Sequence, residues 1–244
     1  MRALLSISHL SKYYDGIKAV DDLSFDLQPG EIVGLLGQNG AGKTTTLRCV
    51  CGILRPDGGR ITADEFDLYT NESGAKRLMA FVPETPNPYD LLTVREHMKF
   101  IAMCYNTLEV FENSIEDLLE RFELKEKENE LCVSLSKGMK QKLMIACAFV
   151  HRARIFLFDE PMVGLDPKSQ FTLKTELHRL RSEGAALLIS THQLDTAEKL
   201  CDRVVIMQQG KKLAEGSVGE LRQQAAMRDN SLEEVFLRLT EDQT

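Results

Sequence analysis

The chain has 244 residues, of which 43% are hydrophobic and 27% charged, and a formal net charge of −7. That length can bury a sizeable core in one large domain or a domain with a subdomain, while the acidic balance argues against general nucleic-acid binding, which needs a basic footprint. No apolar run reaches the roughly 18 residues that cross a bilayer, and the opening MRALLSISHLSK is too short and polar for a secretory signal, so any membrane role would come through a partner.

LLSISHL and LSFDL alternate apolar and polar residues as strands of an antiparallel edge sheet do, and QPGE turns the chain. EIVGLLG, Glu31 to Gly37, is short and apolar, which predicts a strand buried on both faces. A helix is expected next, from about Gly42 to Cys51. Between Pro88 and His151 the pattern is helical only: TVREHMKFIAMCY and SIEDLLERFEL space their apolar residues three and four apart. RIFLFDE and AALLIST read as two more buried strands, with a helix from about Pro167 to Ser182 between them. DRVVIMQQGKKLAEG reads as a hairpin. The closing SLEEVFLRLT has capping-box spacing at Ser231 and Glu234, and its stripe of Leu232, Val235, Phe236 and Leu239 predicts a helix packed on its own domain ahead of the alternative, a helix that binds a partner.

The expected fold class is therefore α/β, a parallel core sheet with an antiparallel β flank. Residues 1–87 and 152–220 form this core, 88–151 an inserted all-helical subdomain and 221–244 a helical tail. The six cysteines show no CxxC spacing and mostly lie in apolar patterns, which predicts small buried side chains in a reducing compartment rather than metal or redox use.

GLLGQNGAGKTTTL follows a buried strand and opens a helix. It contains G-x-x-x-x-G-K-T as Gly37, Gly42, Lys43 and Thr44, with Gly40 as an extra glycine. Glycines let a loop turn its N–H groups inward around phosphate oxygens, and the helix start adds partial positive charge. Lys43 can reach the β- and γ-phosphates, and the Thr44 hydroxyl can bind Mg2+. Gln38, Asn39, Gly40, Ala41, Gly42, Lys43, Thr44 and Thr45 are the candidate nucleotide contacts. IFLFDEP puts two acids at the end of a buried strand, on the sheet edge that carries the phosphate loop. Asp159 is expected to hold Mg2+ through its water shell. Glu160, on the opposite side of the pleat, is expected to orient and deprotonate an attacking water.

With these motifs in order along nearly the whole length, the chain resembles the ATP-binding cassette (ABC) nucleotide-binding domain, a P-loop NTPase fold. GQNGAGKTT looks like its Walker A loop, IFLFDE its Walker B strand and GLDP its D-loop. The resemblance implies further roles. KYYDG puts Tyr14 at the adenine-stacking position, ahead of Tyr13, and STH puts His192 at the switch-histidine position, beside the γ-phosphate and the water. LSKGMKQKL falls at the signature sequence, so Ser136, Lys137 and Gly138 would receive the γ-phosphate bound by a second ABC ATPase subunit in a head-to-tail dimer. Lys43, Glu160 and His192 become the catalytic group, with Thr44, Asp159 and Glu84 around Mg2+ and ATP as the nucleotide.

Lys137 and Met139 stand where most of that family has Gly and Gln, and Glu84 in FVPETP where most has Gln. These variants and the closing tail are similar to the bacterial exporter branch in which ATPase and membrane subunits are separate chains. The implied function is ATP hydrolysis that drives transport, with export expected, by a subunit held on the cytoplasmic face of the membrane through a permease. Tyr89, Leu91, Leu92, Met98, Phe100 and Met103 lie near the expected permease groove, and most of them are expected to be subdomain core. The competing reading is a soluble ABC ATPase that remodels a non-membrane partner. Relatives of that kind usually carry two cassettes, a long coiled coil or basic arms, and none of these is visible. A P-loop kinase or GTPase fits less well, because LSKGMKQKL and STH are present and a guanine-reading NKxD is absent.

Overall fold

A two-residue turn shapes the first hairpin. Strands β1 (Leu5–Tyr14) and β2 (Ile17–Leu27) pair antiparallel, with Tyr14 opposite Ile17. The turn residues Asp15 and Gly16 both take positive φ, 47° and 83°, which matches the strand twist and suits an Asp-Gly pair. The computed structural model describes residues 2–225, 227 and 230–241. Strands β4 (Gly58–Ala63) and β5 (Phe66–Asp67) extend this antiparallel sheet in the order β2-β1-β4-β5. The sequence pattern does not reveal β4, because its two glycines, Gly58 and Gly59, dilute the alternation.

The second sheet comprises β3 (Ile32–Leu36), β6 (Met79–Val82), β7 (Ile155–Asp159), β8 (Ala186–Thr191), β9 (Arg203–Gln208) and β10 (Lys211–Gly216), in the order β10-β9-β3-β8-β7-β6. All pairs are parallel except β9 with β10. Strands β3, β7 and β8 are buried throughout, as expected for parallel strands covered on both faces. Alternate residues serve opposite cores. Ile155 and Leu157 pack towards the antiparallel sheet and helix α1 (Lys43–Val50), whereas Phe156 and Phe158 pack towards the helices inserted after β6.

Those helices are α3 (Val94–Cys104), α4 (Leu108–Arg121) and α5 (Lys137–Val150), and the described residues between β6 and β7 form no strand. Thr93 and Glu96 form a capping box at the start of α3. The apolar faces of these helices, including Met98, Leu118 and Leu143, join Phe156 and Phe158 in one continuous core. Helix α2 (Glu72–Arg77) precedes β6, α6 (Pro167–Ser182) follows β7, and α7 (Leu194–Leu200) follows β8.

Helices α8 (Val218–Gln224) and α9 (Leu232–Glu241) close the described chain. The expected stripe holds: Leu232, Val235 and Phe236 are buried against Leu36, Val204 and Ile206, with Leu239 packed beside them. The Glu234 N–H donates to Ser231 Oγ (3.3 Å) and the Ser231 N–H to Glu234 Oε2 (2.9 Å), so the capping box is formed. Within the expected tail, residues 226, 228, 229 and 242–244 lie outside the described residues.

All six cysteines are free, and Cys49, Cys51, Cys132 and Cys147 are buried. Cys201 is half-buried, and Cys104 departs from the expectation by being exposed, because the last turn of α3 directs it away from the core. Among the described residues no helix is long and apolar enough to cross a membrane.

Candidate functional site: a phosphate cleft

The loop between β3 and α1 is held by close backbone contacts. A Cβ on Gly37 would stand 2.5 Å from the Met207 carbonyl oxygen, and one on Gly42 would stand 2.3 Å from that of Ala19. Gly42 also has φ 103°, so only glycine meets both demands there. Helix α1 begins without a side-chain cap and without an acid in its first turn, which leaves its N–H groups available to an anion.

Lys43 is 6% exposed. Its ammonium donates to the carbonyls of Gly37 (2.6 Å) and Gln38 (3.3 Å) and lies 3.8 Å from Glu160 Oε1. Burial pushes its pKa below the usual lysine value, and the charges of Glu160, Asp159 and Glu84 oppose that shift. Thr44 Oγ1 donates to Asp159 Oδ1 at 3.2 Å, and the buried Ser190 hydroxyl donates to the same oxygen at 2.5 Å.

The pleat does not place Glu160 on the opposite side from Asp159, as the sequence suggests. Strand β7 ends at Asp159, and Glu160 takes a left-handed φ of 47°. Its N–H is held by the Ser190 carbonyl (3.1 Å) and hydroxyl (3.2 Å). The turn sends the carboxylate towards Lys43 and His192, whose Nδ1 lies 2.9 Å from Glu160 Oε1. That contact needs the proton on Nδ1, which leaves Nε2 of a neutral ring as an acceptor.

A cleft of about 530 Å³ gathers Tyr14, Gln38 through Thr45, Glu84, Glu160 and His192, together with Ala19 and Val163. Tyr14 ends β1 at the hairpin tip, 43% exposed, with Lys12 Nζ 5.6 Å from its ring centre. The sequence motifs miss Ala19 and Val163, and Ser190 opens STH without a role assigned to it. Ser190 carries one signal, a hydroxyl at the end of an otherwise apolar strand. A larger cleft, about 720 Å³, opens between α4, α5 and α6 and contains none of the predicted site residues.

The donor set suits a hard cation. Thr44 Oγ1 and the Asp159 carboxylate face one another, and Glu84 adds a third oxygen donor to the cleft wall. The described residues contain no cluster of three or more His, Cys, Asp or Glu able to hold a metal ion by themselves. Phosphate and water would complete the shell, as Mg2+ prefers.

Ser136, Lys137 and Gly138 do not line this cleft. Ser136 caps α5 by accepting from the Met139 N–H (3.3 Å), and Ser136 and Lys137 are exposed at a helix start without acids. A Cβ on Gly138 would stand 2.9 Å from the Gly164 carbonyl oxygen, so this helix start rests against the GLDP segment. Met139 packs on the apolar core. Behind it, the buried Gln141 donates from Nε2 to the Pro83 carbonyl (3.4 Å), which ties α5 to the loop carrying Glu84.

Most residues expected as subdomain core near the groove are instead outside it. Met98 alone is fully buried and Leu92 is half-buried, while Tyr89, Leu91, Phe100 and Met103 are exposed. Helix α3 turns Val94, His97, Met98 and Ala102 inward, and this leaves Phe100 and Met103 on its outer face.

A phosphate loop opening a helix, a hydroxyl and carboxylate beside it, and a Glu–His pair facing its lysine define a triphosphate-binding ATPase domain. The ABC transporter family matches residues 20–163. The chain is 37% identical over 241 residues to the ABC-type transporter ATP-binding protein EcsA of Bacillus subtilis, covering 98% of each. It is also 37% identical over 226 residues to the SkfA peptide export ATP-binding protein SkfE of Bacillus subtilis, covering 92% of this chain and 94% of the relative. A solved structure described as the ATP binding subunit of an ABC transporter superposes with a TM-score of 0.94 at 37% identity, covering 97% of this chain and 99% of the other. The chain belongs to the ABC transporter family, among its ATP-binding proteins.

Proposed function

We propose that this chain pairs head to tail with a second ABC ATPase subunit, hydrolyses ATP to ADP and phosphate at the paired face, and drives export through a separate membrane permease. The observation that carries this reading is the division of the site. Phosphate loop, metal-facing oxygens and Glu160–His192 share one cleft, while the Ser136 helix start opens elsewhere on the same chain. A helix start with free N–H groups and a hydroxyl suits an anion, and a second chain can supply the phosphate that its own fold keeps away.

In this reading Tyr14 stacks on adenine, and Gln38 through Thr45 enclose the phosphates. Lys43 neutralises the β- and γ-oxygens as charge moves towards the leaving group. Glu160 accepts a proton from the attacking water, and His192, held by its Nδ1–H, offers Nε2 to the water or γ-phosphate. Thr44, Asp159 and Glu84 would hold Mg2+, which would neutralise phosphate charge when bound. Ser136, Lys137 and Gly138 close over the partner's γ-phosphate. The exposed Tyr89, Leu91, Phe100 and Met103 provide an apolar face for cytoplasmic helices of the permease, which would hold the chain on the inner face of the membrane. The relative named for peptide export supports the outward direction. No nucleic-acid partner is expected.

The test is Glu160→Gln. Steady-state hydrolysis should fall by at least about a hundredfold, MgATP affinity should stay within about threefold, and light scattering should show an ATP-dependent dimer. Wild-type turnover in the variant, or full specific activity from monomers held apart by dilution, overturns the reading.

A further inference from the structure

The phosphate cleft carries more negative charge than its single lysine balances. Three carboxylates, those of Glu160, Asp159 and Glu84, act on Lys43. Two of them are engaged by neighbours. Asp159 accepts from Thr44 and Ser190, and Glu160 accepts from His192. Glu84 has no hydrogen-bond or ion-pair partner among the described residues, although it lines the cleft beside the phosphate loop. It is exposed, and its approach is set by Pro83, whose carbonyl is tied to the buried Gln141 of α5. With Lys43 charged and the three carboxylates ionised, these groups sum to −2.

We infer that Glu84 makes nucleotide binding conditional on a divalent cation, because its unpaired carboxylate repels the metal-free triphosphate and accepts the metal-bound one. The inference rests on the reading of this cleft as the triphosphate site. Free ATP arrives as a tetra-anion and MgATP as a dianion, so the same wall opposes the first about twice as strongly before any metal contact forms. Glu84 also offers an oxygen to the metal, so repulsion turns into attraction when the cation is present. Asp159 and Glu160 contribute to the wall charge too, but their hydroxyl and imidazole donors already offset part of it. Removing one charge that faces four others inside a Debye length should change affinity by about tenfold or more.

The experiment is calorimetric titration of the full chain with ATP, once in excess MgCl2 and once in EDTA. The wild type should bind in EDTA about a hundredfold more weakly than with the metal. Glu84→Gln should tighten binding in EDTA by about tenfold or more and weaken MgATP binding through the lost metal oxygen, so the ratio collapses from both sides. Glu84→Asp, which keeps the charge, should retain the large ratio, and added NaCl should narrow it by screening. Thermal melts of all three proteins check that the fold is intact.

Equal EDTA-to-magnesium ratios in wild type and Glu84→Gln overturn the inference and leave the nucleotide site standing. So does a loss of MgATP affinity with no gain in EDTA, since Glu84 would then act on the metal alone. A wild type that binds ATP in neither condition overturns both this inference and the reading beneath it.

Discussion

Glu160 has a backbone angle that a strand residue avoids, φ 47°, and such a conformation costs on the order of 1 kcal/mol or more unless its surroundings hold it. Ser190 is what holds it: the carbonyl and hydroxyl take the Glu160 N–H, and the hydroxyl also donates to Asp159. One buried serine thus positions both acids. Ser190→Ala should cost roughly 1.5–3 kcal/mol, the range for a hydrogen bond to a charged group, read as a lower urea midpoint. It should also cut kcat more than it raises KM for ATP, because the base is misplaced while the phosphate loop is not. An unchanged kcat removes Ser190 from positioning. The phosphate loop, Asp159 and Glu160 are legible in the sequence because their chemistry is local, a glycine-rich turn and acids ending an apolar run. Tyr14 is legible only through resemblance, and the left-handed turn at Glu160 is not, since strand alternation predicts the opposite side.

At the scale of elements, α5 links several functions. Ser136 caps its start, and Gln141 reaches the loop of Glu84. Lys142 joins Glu123 (2.7 Å) and Asp166 (3.1 Å), and through Asp166 it meets the cap of α6. Gln141 is an uneconomical residue for a core, since its Oε1 is buried without a hydrogen-bond partner. Gln141→Leu removes that orphan oxygen together with one long hydrogen bond. The urea midpoint should therefore hold or rise, while turnover falls by about fivefold or more as the Pro83–Glu84 loop loses its tie. A variant with native turnover would reduce Gln141 to packing. Periodicity reveals α3 and α4 plainly, and it also implies which side of each is apolar. It does not reveal that Phe100 and Met103 lie outside the core, because an apolar residue beyond the stripe reads the same as one within it.

For the whole molecule, two sheets and an inserted set of helices share cores that are apolar almost throughout, with buried histidines at their seams. His97 contacts Cys147 (Nδ1 to Sγ 3.4 Å), and His151 donates from Nε2 to the Arg77 carbonyl (3.1 Å) and stacks on Tyr105. Burial lowers both rings to about 4, below the ordinary histidine value near 6.5. Between those values the unfolded chain binds more protons than the native one. Stability from these rings is complete above about pH 6.5 and is lost as the pH falls towards 4. The urea midpoint should drop between pH 7 and pH 5, and His151→Gln should reduce that slope by about half if the two rings contribute equally. A slope unchanged by the substitution assigns the acid sensitivity elsewhere. The buried core strands and the antiparallel flank follow from patterns along the chain, but the order β10-β9-β3-β8-β7-β6 does not, since crossovers set it, and β4 does not, since glycine obscures it.

The distance between the Ser136 helix start and its own phosphate loop has a genetic consequence. In the proposed pair, damage at Ser136 spares the copy that bears it and silences the site on its neighbour, whereas damage at Glu160 stays at home. Two copies crippled at these different places can therefore rescue one another by assembling a single intact site between them, and two copies crippled at the same place cannot.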